Sequence, residues 1–253
     1  MTRVVSIISG KGGVGKTTFS TNLAVSLAEK GERVALLDGD LTGANVSRHF
    51  GLDASNATIN DVVRGDAYIT QAIYRHKSGL SVLPADFEDH TLDSNHLKHA
   101  ILDFLGQKDF VIIDSPPGAG GPVRRALESS NEALIVSKPS YPAVDNAKVV
   151  KKLANEVGVD IRGVVLNQVY DDHLELRHDV VAEKMGEEII GEIPQCDYVR
   201  EAIAHGKPVL HHKPYSKAVE SVDDVTYKLI GREPPKKTPL DKVKKGFLRF
   251  LDG

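Results

Sequence analysis

The sequence predicts an α/β protein whose open, mostly parallel sheet carries helices on both faces. Three observations support this prediction. Short apolar runs alternate with helical patterns, a glycine-rich loop follows the first run, and acidic residues directly follow two later runs. Alternating strands and helices are typical of parallel sheets, and such sheets bind ligands at the carboxyl ends of their strands. The functional residues are therefore expected along one edge of the sheet.

The glycine-rich loop lies between a strand expected over 4–8 and a helix expected over 16–30. It matches the phosphate-binding pattern G-x-x-x-x-G-K-[ST] in the strand–loop–helix context that this pattern requires. Its backbone N–H groups can curl around an anion, and the helix N-terminus adds its dipole. Lys16 is expected to reach the β- and γ-phosphates of a nucleotide, and Thr17 to bind Mg²⁺. The predicted phosphate-binding residues are Gly12, Gly13, Val14, Gly15, Lys16, Thr17 and Thr18.

Lys11 is a second lysine in this loop, and phosphate binding alone does not require it. A backbone that wraps a phosphate with its N–H groups points side chains outward, so Lys11 is a doubtful ligand for its own nucleotide. A cation delivered to a neighbour's nucleotide would act as an arginine finger does, and it requires a face-to-face dimer with ATP at the interface. The alternative is a solvated lysine on an exposed loop.

Two acids follow the second apolar run, which is expected to be a buried strand over 33–37. Asp40 is expected to orient the attacking water, and Asp38 to hold Mg²⁺ through water. The segment 41–49, which contains Asn45, is expected to be a loop that senses the γ-phosphate. The alternative is a pair of turn-forming acids, since Asp and Gly are common in turns.

Asp114 ends a third apolar run over 110–114, and Pro117 and Gly118 follow it closely. An acid at this place is expected to bind the Mg²⁺ shell on the same sheet edge as Thr17. The residues after it are expected to open a second switch loop. The alternative is a strand closed by an ordinary turn.

The remaining pattern continues the alternation of strands and helices. His96 and His99 stand three residues apart on one expected helix, where a solvated face is favoured over a metal site. His205, His211 and His212 are expected on the surface. Helices are expected over 58–65, 68–75, 94–105, 143–157 and 216–230, and strands over 80–83, 133–136, 161–166 and 188–193.

Composition sets limits on the function class. The 253 residues carry 32 Lys and Arg against 35 Asp and Glu, a formal net charge of −3, so no overall positive field indicates nucleic acid. A single cysteine, Cys196, excludes an internal disulfide or a CxxC cluster and fits a reducing cytosol. No apolar stretch approaches the length of a membrane span, and no signal-peptide pattern opens the sequence. We expect a cytoplasmic protein with one folded domain.

The segments KGGVGKTT and DGDLTGAN resemble the deviant Walker A and switch motifs of the MinD/ParA family of dimerising ATPases. The resemblance implies a P-loop NTPase fold of the deviant Walker A type, a Lys11 that acts across a homodimer, and an Asp40 needed for hydrolysis. It further implies that Asp145 faces Lys11. Asn167 would contact adenine, with Pro194 and Gln195 closing the base pocket. The segment SPPG after the third strand does not choose between subfamilies.

The carboxyl-terminal region is predicted to be a segment separate from the folded domain. The ATPase domain is expected over 1–231, a Pro- and Lys-rich linker over 232–239, and an amphipathic helix over 240–253. The expected helix has apolar residues on one face and basic residues on the other, which is the pattern of a helix lying in a membrane interface. A terminal helix docked on the core is the alternative. KKGFLRFLDG also resembles the membrane-targeting sequence of MinD proteins. The predicted membrane-binding residues are Val243, Phe247, Leu248, Phe250 and Leu251.

Three functions remain open from the sequence. The favoured one is a MinD-like positioning ATPase that uses Mg²⁺ and ATP, dimerises, binds the inner face of the cell membrane through anionic lipids and answers to an activating partner protein. A ParA-like ATPase that binds DNA nonspecifically is the second. A Mrp-like iron–sulphur carrier is the third, and the single cysteine counts against it.

Overall fold

Eight strands form one sheet in the computed structural model, which describes residues 1–41, 43–52, 57–86 and 97–235. The strand order is β3-β4-β2-β5-β1-β6-β7-β8. All neighbours pair in parallel except β3 and β4, which are antiparallel. The strands are β1 (Arg3–Ile8), β2 (Val34–Asp38), β3 (Tyr74–Arg75), β4 (Ser81–Leu83), β5 (Phe110–Asp114), β6 (Glu132–Ser137), β7 (Asp160–Val169) and β8 (Ile189–Pro194).

Helices connect the strands in the same part of the chain. The first, α1, begins directly after the glycine-rich loop. The helices are α1 (Lys16–Glu29), α2 (Val46–Phe50), α3 (Ile59–Arg64), α4 (Ile69–Ala72), α5 (Leu97–Leu102), α6 (Gly121–Glu128), α7 (Tyr141–Val157), α8 (His178–Met185), α9 (Asp197–Ala204), α10 (Val209–His212) and α11 (Lys217–Ile230). No described helix has the length and apolar character to cross a membrane.

The core lies on both faces of the sheet because successive strand residues point to opposite sides. On β1, Val5 and Ile7 join the cluster that contains α1 and α11. Val4 packs in a second cluster with α3 and α5, and Ile8 in a third with α6, α7 and α8. Every residue of β2 and β5 is buried, as expected for central parallel strands. The predicted α/β class with helices on both faces is confirmed.

Two local predictions were wrong. The segment 41–49 is not a loop throughout, because α2 begins at Val46, where the Asp38 carboxylate accepts hydrogen bonds from the first N–H groups. The helix expected over 68–75 covers only Ile69–Ala72. Tyr74–Arg75 instead pairs with β4, closed by a turn in which the N–H of His76 donates to the carbonyl of Leu80.

The surface position expected for His211 and His212 was also wrong. Their side chains are only 13% and 18% exposed. His211 stacks on His76 with 5.0 Å between ring centroids and contacts Glu29, and His212 contacts Glu201. Their positions on α10, which packs against α1 and α9, explain the burial. His205 is exposed, as predicted.

Three predicted segments reach beyond the described residues. The tail helix over 240–253 lies outside them, with all five of its predicted membrane-binding residues, as does the second half of the linker over 232–239. The helix expected over 94–105 is described as α5, Leu97–Leu102. Its expected start and His96 lie outside the described residues, and so does the side chain of His99.

Candidate functional site

The glycine-rich loop leaves the central strand β1 and enters α1, and two of its glycines are required by close contacts. A Cβ on Gly10 would lie 2.1 Å from the backbone carbonyl atoms of Asn146 on α7. Gly15 has a φ of +83°, and a Cβ there would lie 2.2 Å from Nδ2 of Asn167. Both positions therefore exclude a side chain, the second also on conformational grounds. The loop is fixed between α7 and β7.

A cavity of about 240 Å³, which we call the phosphate pocket, lies inside this loop. The seven residues predicted to bind phosphates all line it, from Gly12 to Thr18. Lys11, Asp40, Asn45 and Pro117 complete the wall. The loop after β5 is joined to this wall, because the N–H of Gly118 donates to the carbonyl of Ser9 over 2.9 Å. The structure thus brings the first loop and both predicted switch segments to one place.

Lys16 and Asp114 form a buried ion pair at the floor of the phosphate pocket. Lys16 Nζ lies 3.0 Å from Asp114 Oδ1, and the two side chains are 8% and 2% exposed. Because Lys16 is buried, its charge needs a partner. It can exchange the carboxylate of Asp114 for a phosphate oxygen and remain paired. The phosphates of a nucleotide would therefore compete with Asp114 for Lys16.

Asp38 is fully buried and organises the first switch segment. Its Oδ1 accepts a hydrogen bond from the N–H of Asp40 over 3.2 Å, and its Oδ2 accepts from the N–H groups of Asn45 and Val46 over 3.0 and 3.1 Å. Burial and the neighbouring Asp114 carboxylate raise the pKa of Asp38 to about 7, against the effect of these N–H donors. Asp38 holds both ends of the segment from Asp40 to Val46.

Asp40 is half-buried on the wall of the phosphate pocket, which Lys11 also lines. Its carbonyl accepts from the N–H of Gly43 over 3.2 Å, which closes a tight turn. A Cβ on Gly43 would lie 2.9 Å from Oδ2 of Asp40, so this glycine leaves room for the carboxylate. The predicted water-orienting role of Asp40 stays a prediction.

The residues present fit a magnesium ion. Asp38 and Asp114 are paired in register at the carboxyl ends of β2 and β5, and Thr17 lines the adjoining pocket. Two buried carboxylates side by side repel each other, and a divalent cation offsets that repulsion. Among the described residues no group of three or more His, Cys, Asp or Glu side chains forms a metal site by itself. That suits Mg²⁺, which is bound through one or two carboxylates together with substrate phosphates and water.

A second cavity of about 310 Å³, which we call the base cavity, shares Gly15 and Thr18 with the phosphate pocket. The three predicted base-contacting residues, Asn167, Pro194 and Gln195, all line it. Asn167 lies inside β7 and is not a turn residue. Its Nδ2 donates to the carbonyl of Val14 over 2.8 Å. That bond leaves the amide oxygen of Asn167 and its second N–H for a ligand.

Sequence reasoning missed most of the base cavity. Gln168 has a φ of +58°, unusual for a residue with a side chain, and its Nε2 lies 3.4 Å from the carbonyl of Gly13. No pattern in the sequence indicates that conformation. Further lining residues come from β8 and from four helices, α1, α9, α10 and α11. They include Phe19, Asn22, Ile193, Cys196, Val199, Arg200, Ile203, Val209, Ala218 and Val222.

Lys11 and Asp145 lie on neighbouring segments without a described ion pair between them. Lys11 is exposed at the edge of the phosphate pocket. Asp145 is exposed on α7, 3.6 Å from Lys148 in the next turn, and the adjacent Asn146 contacts Gly10. Both residues are open to a second chain, and their roles stay predictions.

Known proteins resemble this chain along nearly its whole length. A family model described as ParA, NUBPL iron-transfer P-loop NTPase, matches residues 1–230. An uncharacterized ATP-binding protein of Methanocaldococcus jannaschii is 33% identical, over 100% of this chain and 97% of that protein. The septum site-determining protein MinD of Thermotoga maritima is 30% identical, over 99% of this chain and 96% of its own.

Solved structures give the same picture. MinD of Pyrococcus horikoshii, complexed with Mg-ADP, superimposes with a TM-score of 0.86 at 33% identity and covers 90% of this chain and 96% of its own. The MinC:MinD cell division protein complex of Aquifex aeolicus contains a chain that superimposes with a TM-score of 0.81 at 26% identity, over 93% of this chain and 99% of that one.

Proposed function

The chain belongs to the ParA family of P-loop NTPases, with MinD proteins among its relatives, and from this premise we propose that it is a Mg²⁺-dependent ATPase that works as a dimerising switch on a membrane surface. One observation carries the catalytic part of the proposal. The phosphate loop faces two buried, register-paired carboxylates, Asp38 and Asp114. The septum site-determining proteins among the relatives favour a role in spatial positioning, such as that of the division site.

The proposed reaction is hydrolysis of ATP to ADP and phosphate. The N–H groups of the loop surround the β- and γ-phosphates, and Lys16 moves from Asp114 to the phosphate oxygens. Thr17 and Asp114, with Asp38 through water, would hold the metal ion, which when bound offsets the charge of the phosphate oxygens. Asp40 orients water toward the γ-phosphate from its place on the pocket wall.

Dimerisation follows from the position of Lys11. Its side chain is exposed at the edge of the phosphate pocket, where a second chain can approach the same nucleotide. A lysine supplied in this way stabilises the charge that develops on the transferred phosphoryl group. ATP would thus close two chains face to face, and hydrolysis would separate them. A partner protein that speeds hydrolysis completes the proposed cycle. Partner binding has one precedent, since MinD of Aquifex aeolicus has been solved in a complex with MinC.

Membrane binding is proposed from the sequence of the tail. One short helix is marginal in water, and its basic residues add only about 1 kcal/mol each near an anionic surface. Two tails on an ATP-bound dimer insert at an effective concentration near millimolar, which raises avidity on the order of 10²-fold. The nucleotide state would then decide occupancy of the cytoplasmic face of the membrane.

Sedimentation with liposomes tests this proposal. The full chain should sediment with vesicles rich in anionic lipid in ATP and much less in ADP. Phe247→Glu places a charge on the apolar face of the tail and should abolish sedimentation, while Phe247→Leu keeps an apolar side chain and should preserve it. Gel filtration in ATP should show that both variants still dimerise. Equal sedimentation in ATP and ADP, or binding by Phe247→Glu, would contradict the membrane switch.

The same assay separates the other two candidates. Naked DNA added as a competing matrix should not retain the chain, and retention that falls steeply with salt would favour the DNA-binding ATPase. An iron–sulphur carrier was left open by the sequence, and the matching family includes an iron-transfer P-loop NTPase. The single Cys196 per chain supplies at most two thiolates to a dimer, fewer than the four of an all-cysteine cluster.

A further inference from the structure

His49 is a buried histidine that connects the phosphate loop to the first switch segment. It lies on α2 and is 6% exposed. Its Nε2 lies 3.2 Å from the hydroxyl oxygen of Thr18 on α1, and its Nδ1 lies 3.0 Å from the carbonyl oxygen of Asn45. Both ring nitrogens are therefore used, one on each side of the phosphate pocket.

The chemistry of the partners fixes the direction of these two hydrogen bonds. The carbonyl of Asn45 can only accept, so Nδ1 carries the hydrogen. Burial lowers the pKa of His49, so the ring is neutral at pH 7 and Nε2 is an acceptor. The hydroxyl of Thr18 consequently donates to Nε2. Each group thus donates to the next: the Thr18 hydroxyl donates to Nε2 of His49, and Nδ1 of His49 donates to the carbonyl of Asn45. We call this chain of two hydrogen bonds the relay.

Asn45 joins this relay to the buried Asp38. Its N–H donates to Asp38 Oδ2 over 3.0 Å, while its carbonyl accepts from His49. The N–H of Asp40 donates to the other oxygen of Asp38. The segment from Asp40 to Asn45 is thus held by Asp38 on one side and, through His49, by α1 on the other.

We propose that His49 is a positioning residue that sets the segment carrying Asp40 in register with the phosphate loop. The inference rests on the proposed function, since it takes Asp40 as the residue that orients water. His49 contacts neither cavity wall as a ligand would, and it acts through Thr18 and Asn45. Its loss should disturb catalysis more than nucleotide binding, because the backbone of the loop still surrounds the phosphates.

Steady-state kinetics of the full chain test the split between kcat and KM. His49→Leu removes both hydrogen bonds and should lower kcat about tenfold while KM for ATP changes less than about twofold. His49→Gln should recover most of kcat, because its amide reaches Thr18 and can accept from it. Ser47→Ala on the same helix is the control and should behave as wild type. Equal kcat for His49→Leu and wild type, or a loss in KM alone, would overturn the proposal.

A double-mutant cycle identifies Thr18 as the residue through which His49 acts. Thr18→Val removes the hydroxyl, and adding His49→Leu to it should lower kcat no further than about twofold. Multiplicative losses in the double variant would show that the two residues act separately and would contradict the relay.

Amide exchange separates failure of this inference from failure of the proposed function. Hydrogen exchange at Asn45 and Val46 should speed up in His49→Leu by more than it does at amides far from α2, and this holds whatever Asp40 does. Unchanged exchange at these amides would overturn the relay. Normal hydrolysis by Asp40→Ala would instead overturn the proposed function while the exchange result stands.

Discussion

The phosphate pocket and the base cavity share Gly15 and Thr18, yet they are built in opposite ways. The phosphate pocket is formed mainly by one contiguous loop, whose backbone supplies the donors. The base cavity collects side chains from α1, β7, β8, α9 and α11, which lie far apart in the sequence. Phosphate recognition is thus a local property of the chain, and base recognition is a property of the whole fold.

The two cavities should therefore tolerate different substitutions. Backbone donors do not depend on the identity of neighbouring side chains, so phosphate binding should be most sensitive to the lysine and the glycines of the loop. The base cavity depends on the packing of several helices, and many substitutions there should each have a modest effect.

Replacing Lys16 should weaken phosphate binding to the same extent whether or not the ligand carries a base. In Lys16→Ala, affinity for ATP, ADP and pyrophosphate should fall about 100-fold, because a charged hydrogen-bond donor is lost. Isothermal titration calorimetry measures all three ligands.

Lys11→Ala is the matched control for that variant. It should bind ADP almost as wild type does and lose ATP-dependent dimerisation or turnover, because Lys11 is exposed at the pocket edge. If Lys11→Ala hydrolyses ATP normally, the lysine acting across the dimer is wrong.

Replacing Asp40 should separate binding from chemistry within one pocket. Asp40→Ala should bind ATP and dimerise while turnover falls about 100-fold, because Thr17, Asp38 and Asp114 remain and only water orientation is lost. Phosphate release measures turnover, and gel filtration measures the dimer. The exposed Asp66→Ala serves as control, and wild-type turnover by Asp40→Ala would remove Asp40 from the catalytic set.

Replacing Asn167 tests whether the two cavities are independent. Asn167→Ala should weaken ATP binding about tenfold and reduce discrimination between ATP and GTP, because one buried polar partner is lost. Binding of pyrophosphate should stay unchanged. Gln195→Ala, which changes only the base cavity, should show the same pattern more weakly. If pyrophosphate binding fell as much as ATP binding, the hydrogen bond from Asn167 to Val14 would be shown to shape the phosphate loop. The two cavities would then not be independent.

The pH dependence of stability should report Asp38. A folded pKa near 7, above the ordinary value, means that the native state binds more protons than the unfolded state between about pH 4 and 7. Stability without nucleotide should therefore fall as pH rises through this window and level off above it. Asp38→Asn should flatten that slope in urea unfolding followed by circular dichroism, and an unchanged slope would assign it to another group.

The contrast between the cavities also explains what the sequence could predict. The loop, Asp38, Asp40 and Asp114 were found because a local motif and acids at the ends of apolar runs suffice to place them on one sheet edge. Asn167, Pro194 and Gln195 came from family resemblance alone. They do line the base cavity, but nothing local in the sequence indicates it.

The missed features depend on long-range contacts. Val46–Phe50 becomes helical because Asp38 caps it from another element, and Tyr74–Arg75 becomes a strand because β4 lies beside it. His49 was read as part of a loop, since only the fold brings Thr18 to its ring. One missed helix had a local signature, because Pro122 stands in the first turn of α6 after paired glycines.

The central place of β1 has a consequence for synthesis of the protein. Residues 3–8 leave the ribosome well before their neighbours in the sheet, which are residues 110–114 and 132–137. At roughly 5–20 residues per second, the nascent chain waits on the order of 5–25 s before both partners exist. During that interval an apolar strand and the glycine loop behind it have no sheet to join. We expect translation pauses in the first half of the message to lower the soluble yield, and chaperones that hold nascent chains to restore it.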